Sequence, residues 1–192
     1  MKAKRLVYLV SISGSLALCT LPLAHAQQTT PGVLGNPQTQ AMRGQLNESD
    51  YRFLEKAARG GLEEVELGQL AQQKASNQAV RTFGQRMVTD HNKLNNELKQ
   101  LAAQKGATVP TSMTHHENST LQHLQGEVGA DFDKDYAKDM VKDHRKDLKE
   151  FQDAARKVQD PDLRAFAQKA VPILQEHLGM AENMETSVKN EK

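Results

Sequence analysis

The sequence predicts an all-α protein, and three observations lead to that class. Apolar residues recur at helical spacing over long stretches. Val80, Phe83, Met87, Leu94, Leu98 and Leu101 form one stripe, and Phe132, Tyr136, Met140, Leu148, Phe151 and Val158 form a second. Leu163, Phe166, Ala170, Ile173 and Met184 form a third. No run alternates apolar and polar with the period of two that a half-buried strand needs. Finally, cap and turn residues divide the stripes, so that each stretch starts and stops where a helix should.

Taken in order, residues 1–26 read as an export leader. Lys2, Lys4 and Arg5 precede an apolar stretch from Leu6 to Leu23, and Ala24-His25-Ala26 supplies the small residues of a cleavage site. The competing reading, a lipoprotein modified at Cys19, is disfavoured by Leu18, which stands where a small residue is needed. Cleavage after Ala26 removes the only cysteine, leaving no disulfide or thiolate ligand. Residues 27–46, rich in Gln, Thr, Pro and Gly with no apolar period, are expected to be a flexible tether.

The helical domain is expected over residues 47–190. Its first helix runs from Asn47, or Ser49, as cap to about Ala75, and Ser76-Asn77 gives a minimal turn and a new cap. The second runs from Gln78 to Lys105, with Gly106 as its stop. Residues 107–129 form a long connection carrying Pro110 and a short helix near Ser119–Gln125. A third long helix spans Ala130 to Val158, and Asp160-Pro161 caps and opens a fourth that reaches about Ser187. Each long helix has roughly 28 residues, about 42 Å at the standard rise. Short turns make antiparallel neighbours, and the connection of about two dozen residues is long enough to travel the full length of the domain. Two antiparallel hairpins joined by one long crossover give a ferritin-like four-helix bundle. Met87-Val88-Thr89-Asp90-His91 recurs as Met140-Val141-Lys142-Asp143-His144, as though the hairpins were related.

Composition narrows the function. Lys+Arg 25 against Asp+Glu 24 gives a formal charge of +1; without the three leader bases, 22 face 24, a net of −2. That balance makes no strong field for nucleic acid or anionic lipid, and with no Trp the chain lacks stacking platforms. No nucleophile elbow, nucleotide-binding glycine loop or Cys motif is present. Beyond the leader no membrane-spanning run is expected. An envelope partner or a homo-oligomer stays open.

The stretch Ala57-Ala58-Arg59-Gly60-Gly61-Leu62-Glu63-Glu64-Val65-Glu66-Leu67-Gly68-Gln69-Leu70-Ala71 resembles the opening helix of the bacterial exported family known as domain of unknown function 4142. The two Met-Val-x-Asp-His segments and Leu174-Gln175-Glu176-His177-Leu178 resemble its later helices. The resemblance covers about residues 47–185. It implies a ferritin-like helical bundle in the cell envelope, and it implies no reaction.

Four polar residues stand on apolar faces. His91, His144 and His177 lie on the stripes of three different helices, each a turn from Met87, Met140 or Ile173. On the first helix Glu64 falls within the arc of Leu54, Ala57, Gly61, Val65 and Gly68, whereas Glu63 and Glu66 are expected to point outward. All four sit about 20–25 Å along their helices, near the midpoints, so they converge in any antiparallel arrangement. Two readings compete. Buried Glu and His can form a hydrogen-bonded layer that fixes helix register in a noncatalytic binding or stress-protective protein. The alternative is that three imidazoles and a carboxylate hold one transition-metal ion per chain, zinc, copper, nickel or iron, in a periplasmic metal-binding protein or a metal-dependent enzyme. A carboxylate-bridged di-iron centre is disfavoured. It needs Glu-x-x-His, and Val88, Val141 and Leu174 occupy the glutamate positions.

Overall fold

The computed structural model describes residues 37–190 and contains six helices, with no strand among the described residues. They are α1 (Pro37–Arg43), α2 (Glu48–Lys74), α3 (Gln78–Gln104), α4 (His115–Gly126), α5 (Gly129–Lys157) and α6 (Pro161–Asn190). The expected leader and Cys19 lie outside the described residues. No helix among those described is long and apolar enough to cross a membrane.

The four long helices fall close to the expected bounds because their caps do. Asn47 accepts the Asp50 N–H at 2.9 Å, Asn77 accepts the Ala79 N–H at 2.6 Å, and Gly106 ends α3 with φ +66°. Six helices, against four long ones and a short crossover helix expected, are the first correction. The segment expected as a tether up to residue 46 contains α1, and Leu46 is buried. Tertiary contacts hold this region without an apolar period. Gln45 N–H donates to the Lys105 carbonyl at 2.9 Å, and Thr108 N–H donates to the Met42 carbonyl at 2.7 Å. The short crossover helix expected near Ser119–Gln125 is α4, which starts earlier, at His115, and buries Leu124 completely.

α2 packs along α3, and α5 along α6. Gly68 and Gly84 make the first of these contacts close: a Cβ on Gly68 would sit 2.6 Å from the Gly84 carbonyl oxygen. The connection between the hairpins follows α2 for its whole length. The Tyr51 hydroxyl donates to the Thr108 carbonyl, Arg59 to that of Ser112, and Lys74 to those of Gln125 and Glu127. The chain therefore arrives beside the α2–α3 turn, where the Asp133 carboxylate at the start of α5 accepts the N–H groups of Ser76 and Asn77.

The two hairpins repeat one another, in a register that differs from the Met-Val-x-Asp-His echo. Asp50 accepts the N–H groups of Gln159 and Asp160, as Asp133 does for Ser76 and Asn77. Arg164 donates to the carbonyls of Val158 and Gln159, as Arg81 does to those of Ala75 and Ser76. Asp50/Asp133, Asn77/Asp160 and Arg81/Arg164 are each 83 residues apart. The echo instead links the second helix of one hairpin to the first helix of the other.

Buried apolar side chains form two clusters. One contains Phe83, Phe132, Tyr136 and Met184, the other Phe53, Leu98, Phe166 and Ala170. Along every long helix, a polar residue lies between them: Glu64, His91, His144 and His177.

Candidate metal centre

Each long helix contributes one side chain to this polar layer. Glu64 and His144 are 1% exposed, His91 5% and His177 0%. The rings of His91, His144 and His177 have centroids 5.4–6.1 Å apart, and one ligand atom from each lies within 4.8 Å of the other two. Two of the rings have their tautomers fixed by groups that can only accept. His144 Nδ1–H donates to the Met140 carbonyl at 2.9 Å, leaving a lone pair on Nε2. His177 Nε2–H donates to Asp90 Oδ2 at 3.0 Å, leaving a lone pair on Nδ1. Those two free nitrogens and His91 Nε2 are all buried without a hydrogen-bond partner.

The donor set fits a metal ion. Asp90, itself held by Arg86, orients His177 in the way a carboxylate orients a metal-bound imidazole from behind. Tetrahedral zinc–nitrogen bonds place ligand nitrogens about 3.4 Å apart, so nitrogens within 4.8 Å of one another need approach by at most about 1.4 Å. Burial holds all three imidazoles neutral. His144 is lowered to about 4, His91 lies well below its ordinary value, and His177 is lowered despite the charge of Asp90. Neutral imidazole is the form that binds a metal.

Glu64 belongs to the layer but not to the convergent triad. Its Oε1 lies 3.7 Å from His144 Nδ1, on the ring edge that faces the Met140 carbonyl, and neither carboxyl oxygen has a partner. Burial, then the charges of Asp143, Asp147 and Glu63, push its carboxyl well above the usual range. The buried Tyr136 hydroxyl, also unpartnered, is pushed up by burial and by Glu64.

Several residues of this region are not evident from helical spacing alone. Glu63, expected to face outward, is 9% exposed. The crossover covers the side of α2 that a two-helix contact would leave in water, so the buried arc of α2 is wider than an amphipathic stripe implies. Asp90 and Asp143 stand about 100° off their neighbouring histidines, and so off the ligand positions, as their sequence position requires. Asp90 reaches His177 on another helix instead, and the charge of Asp143 bears on Glu64. Their recurrence in both Met-Val-x-Asp-His segments was the available signal. A cavity of about 350 Å³ also reaches the layer, with His91, Glu63, Asp143 and Asp147 among its walls.

Comparison with curated proteins finds no match, and comparison with solved structures finds none either. A family model does match, across most of the helical region. The chain belongs to the family described as Domain of unknown function (DUF4142), whose model covers residues 35–184.

Proposed function

We propose that this chain is an exported, periplasmic protein whose ferritin-like bundle binds one divalent transition-metal ion through His91, His144 and His177, with Glu64 beside them. The observation that supports this reading is the convergence of three buried imidazoles, each with a ring nitrogen that no hydrogen bond uses. A purely structural polar layer stabilises a fold only when its members satisfy one another, because each buried polar atom left unpaired costs about 1–3 kcal/mol. Here six buried side-chain atoms of the layer and its neighbour Tyr136 have no partner. A cation accepted by the three nitrogens removes half of that deficit.

The ligand type limits the metal to the borderline class of zinc, copper, nickel and iron, which neutral imidazole suits. Helix order and the crossover along α2 favour a ferritin-like arrangement, but the absence of Glu-x-x-His argues for a single ion rather than a bridged pair. The role is binding, with no reaction assigned. Export is supported by the basic and apolar leader sequence, and the mass of the mature N-terminus tests it.

Elemental analysis of the mature protein, purified without a metal-chelating tag, tests the centre. About one ion per chain in the wild type, lost in His91→Ala, His144→Ala and His177→Ala variants that still fold, is the expected result. A wild type that takes up no zinc, copper, nickel or iron even after exposure to each would leave the four residues as a polar layer alone.

A further inference from the structure

The 350 Å³ cavity beside His91 has an uneven distribution of charge. Three cations line it: Lys56 pairs with Glu150 at 3.3 Å, Lys146 with Asp143 at 3.5 Å, and Arg59 with Glu55 at 3.1 Å. All three are committed to partners, and the two lysine side chains, each more than two-thirds exposed, reach into solvent. Further in, the walls carry Asp147 and Glu63 from α5 and α2. The same cavity is lined by His91, which is 95% buried and whose Nε2 has no partner. Gly60 keeps the space open: a Cβ there would touch only Asp147 Oδ2, at 3.6 Å.

We propose that this cavity is a cation vestibule, in which Asp147 and Glu63 bind a hydrated divalent metal ion and pass it to the three histidines. The inference rests on the metal-binding reading above and names the route and the residues that serve it. A recess lined by carboxylates and walled by apolar side chains concentrates cations and raises their rate of arrival. It also supplies oxygen ligands that replace departing water while the imidazoles are still free. Phe151, Phe166 and Leu174 make the apolar part of the wall. The unfavourable environment of Asp147 agrees with this role: burial, and then the charge of Asp143, push its carboxyl up to about 7. A cation beside it relieves both effects.

The test is stopped-flow mixing of the full mature chain with Co²⁺ at pH 8, read by the visible absorption of the imidazole-bound ion. Wild type is compared with Asp147→Asn, with Gly60→Leu, which fills the cavity, and with His177→Ala. A vestibule lowers the barrier in both directions, so Asp147→Asn should slow association and dissociation together, by roughly tenfold at low salt, and leave Kd nearly unchanged. Gly60→Leu should slow both rates by a steric route. Unchanged rates in both variants would overturn the vestibule while leaving the histidine site intact. Faster dissociation with unchanged association in Asp147→Asn would overturn it too, by making Asp147 a ligand of the final site. No Co²⁺ bound by wild type, or equal binding by His177→Ala, would overturn the histidine site itself and the vestibule with it.

Discussion

Asp147→Asn should make the metal-free protein more stable at alkaline pH, by an amount set by the environment of that carboxyl. In the fold its pKa is raised from 3.8 to about 7, chiefly by burial and then by Asp143. The unfolded chain releases this proton near 3.8 and the native chain near 7. Between those values the native state holds more protons, so the stability that the neutral acid allows is lost as pH rises through about 7. A shift of about three units corresponds to about 4 kcal/mol at pH 8, and solvent in the cavity trims this to roughly 2–3 kcal/mol. Asparagine keeps the shape and carries no charge, so the variant avoids that cost. The assay is urea unfolding of both proteins with chelator present at pH 4, 6 and 8, analysed as variant minus wild type so that the titration of the histidines cancels. The gain should be largest at pH 8, smaller at pH 6 and close to zero at pH 4. An equal difference at all three values would show that packing, not ionisation, separates the two proteins. A variant less stable at pH 8 would refute the reasoning outright, because it would mean that the Asp147 charge is favourably paired.

Three further outcomes follow from the geometry. Asp90→Asn leaves all three rings in place but weakens the acceptor that orients His177, so Co²⁺ affinity in a competition titration should fall about 10- to 100-fold; unchanged affinity would remove Asp90 from the centre. Asp50→Ala and Asp133→Ala each strip the partner from two backbone N–H groups in equivalent turns, and each should cost about 3 kcal/mol in urea unfolding, with the two values close to one another. Gly68→Ala drives a Cβ to 2.6 Å from the Gly84 carbonyl and should destabilise by about 2–3 kcal/mol, whereas Gly179→Ala meets nothing within 4 Å and should stabilise by about 0.5–1 kcal/mol in a thermal melt.

Helix existence and helix ends were legible because both are local properties. A 3.6-residue period needs only the side chains of its own segment. Asn47, Asn77 and Gly106 act on backbone groups a few residues away, as caps should. The four residues of the polar layer were legible for a related reason: a His or Glu on an apolar stripe goes wherever the stripe goes, and equal depth brings helix midpoints together. α1 was not legible, since it and the turn after it are held by Thr108 and Lys105, sixty or more residues further along the chain.

By itself, then, the sequence determined the helical class, the long helices and the burial of Glu64, His91, His144 and His177, all set by short-range periodicity and capping. Only the tertiary structure decided how those side chains meet. It separated Glu64 from the convergent nitrogens, turned Asp90 onto His177, buried Glu63 under the crossover, and left an acidic cavity between α2 and α5. These features depend on the rotation and spacing of neighbouring helices. Glycine contacts, the crossover and paired turn caps fix that geometry across residues far apart in sequence, where no local pattern records it.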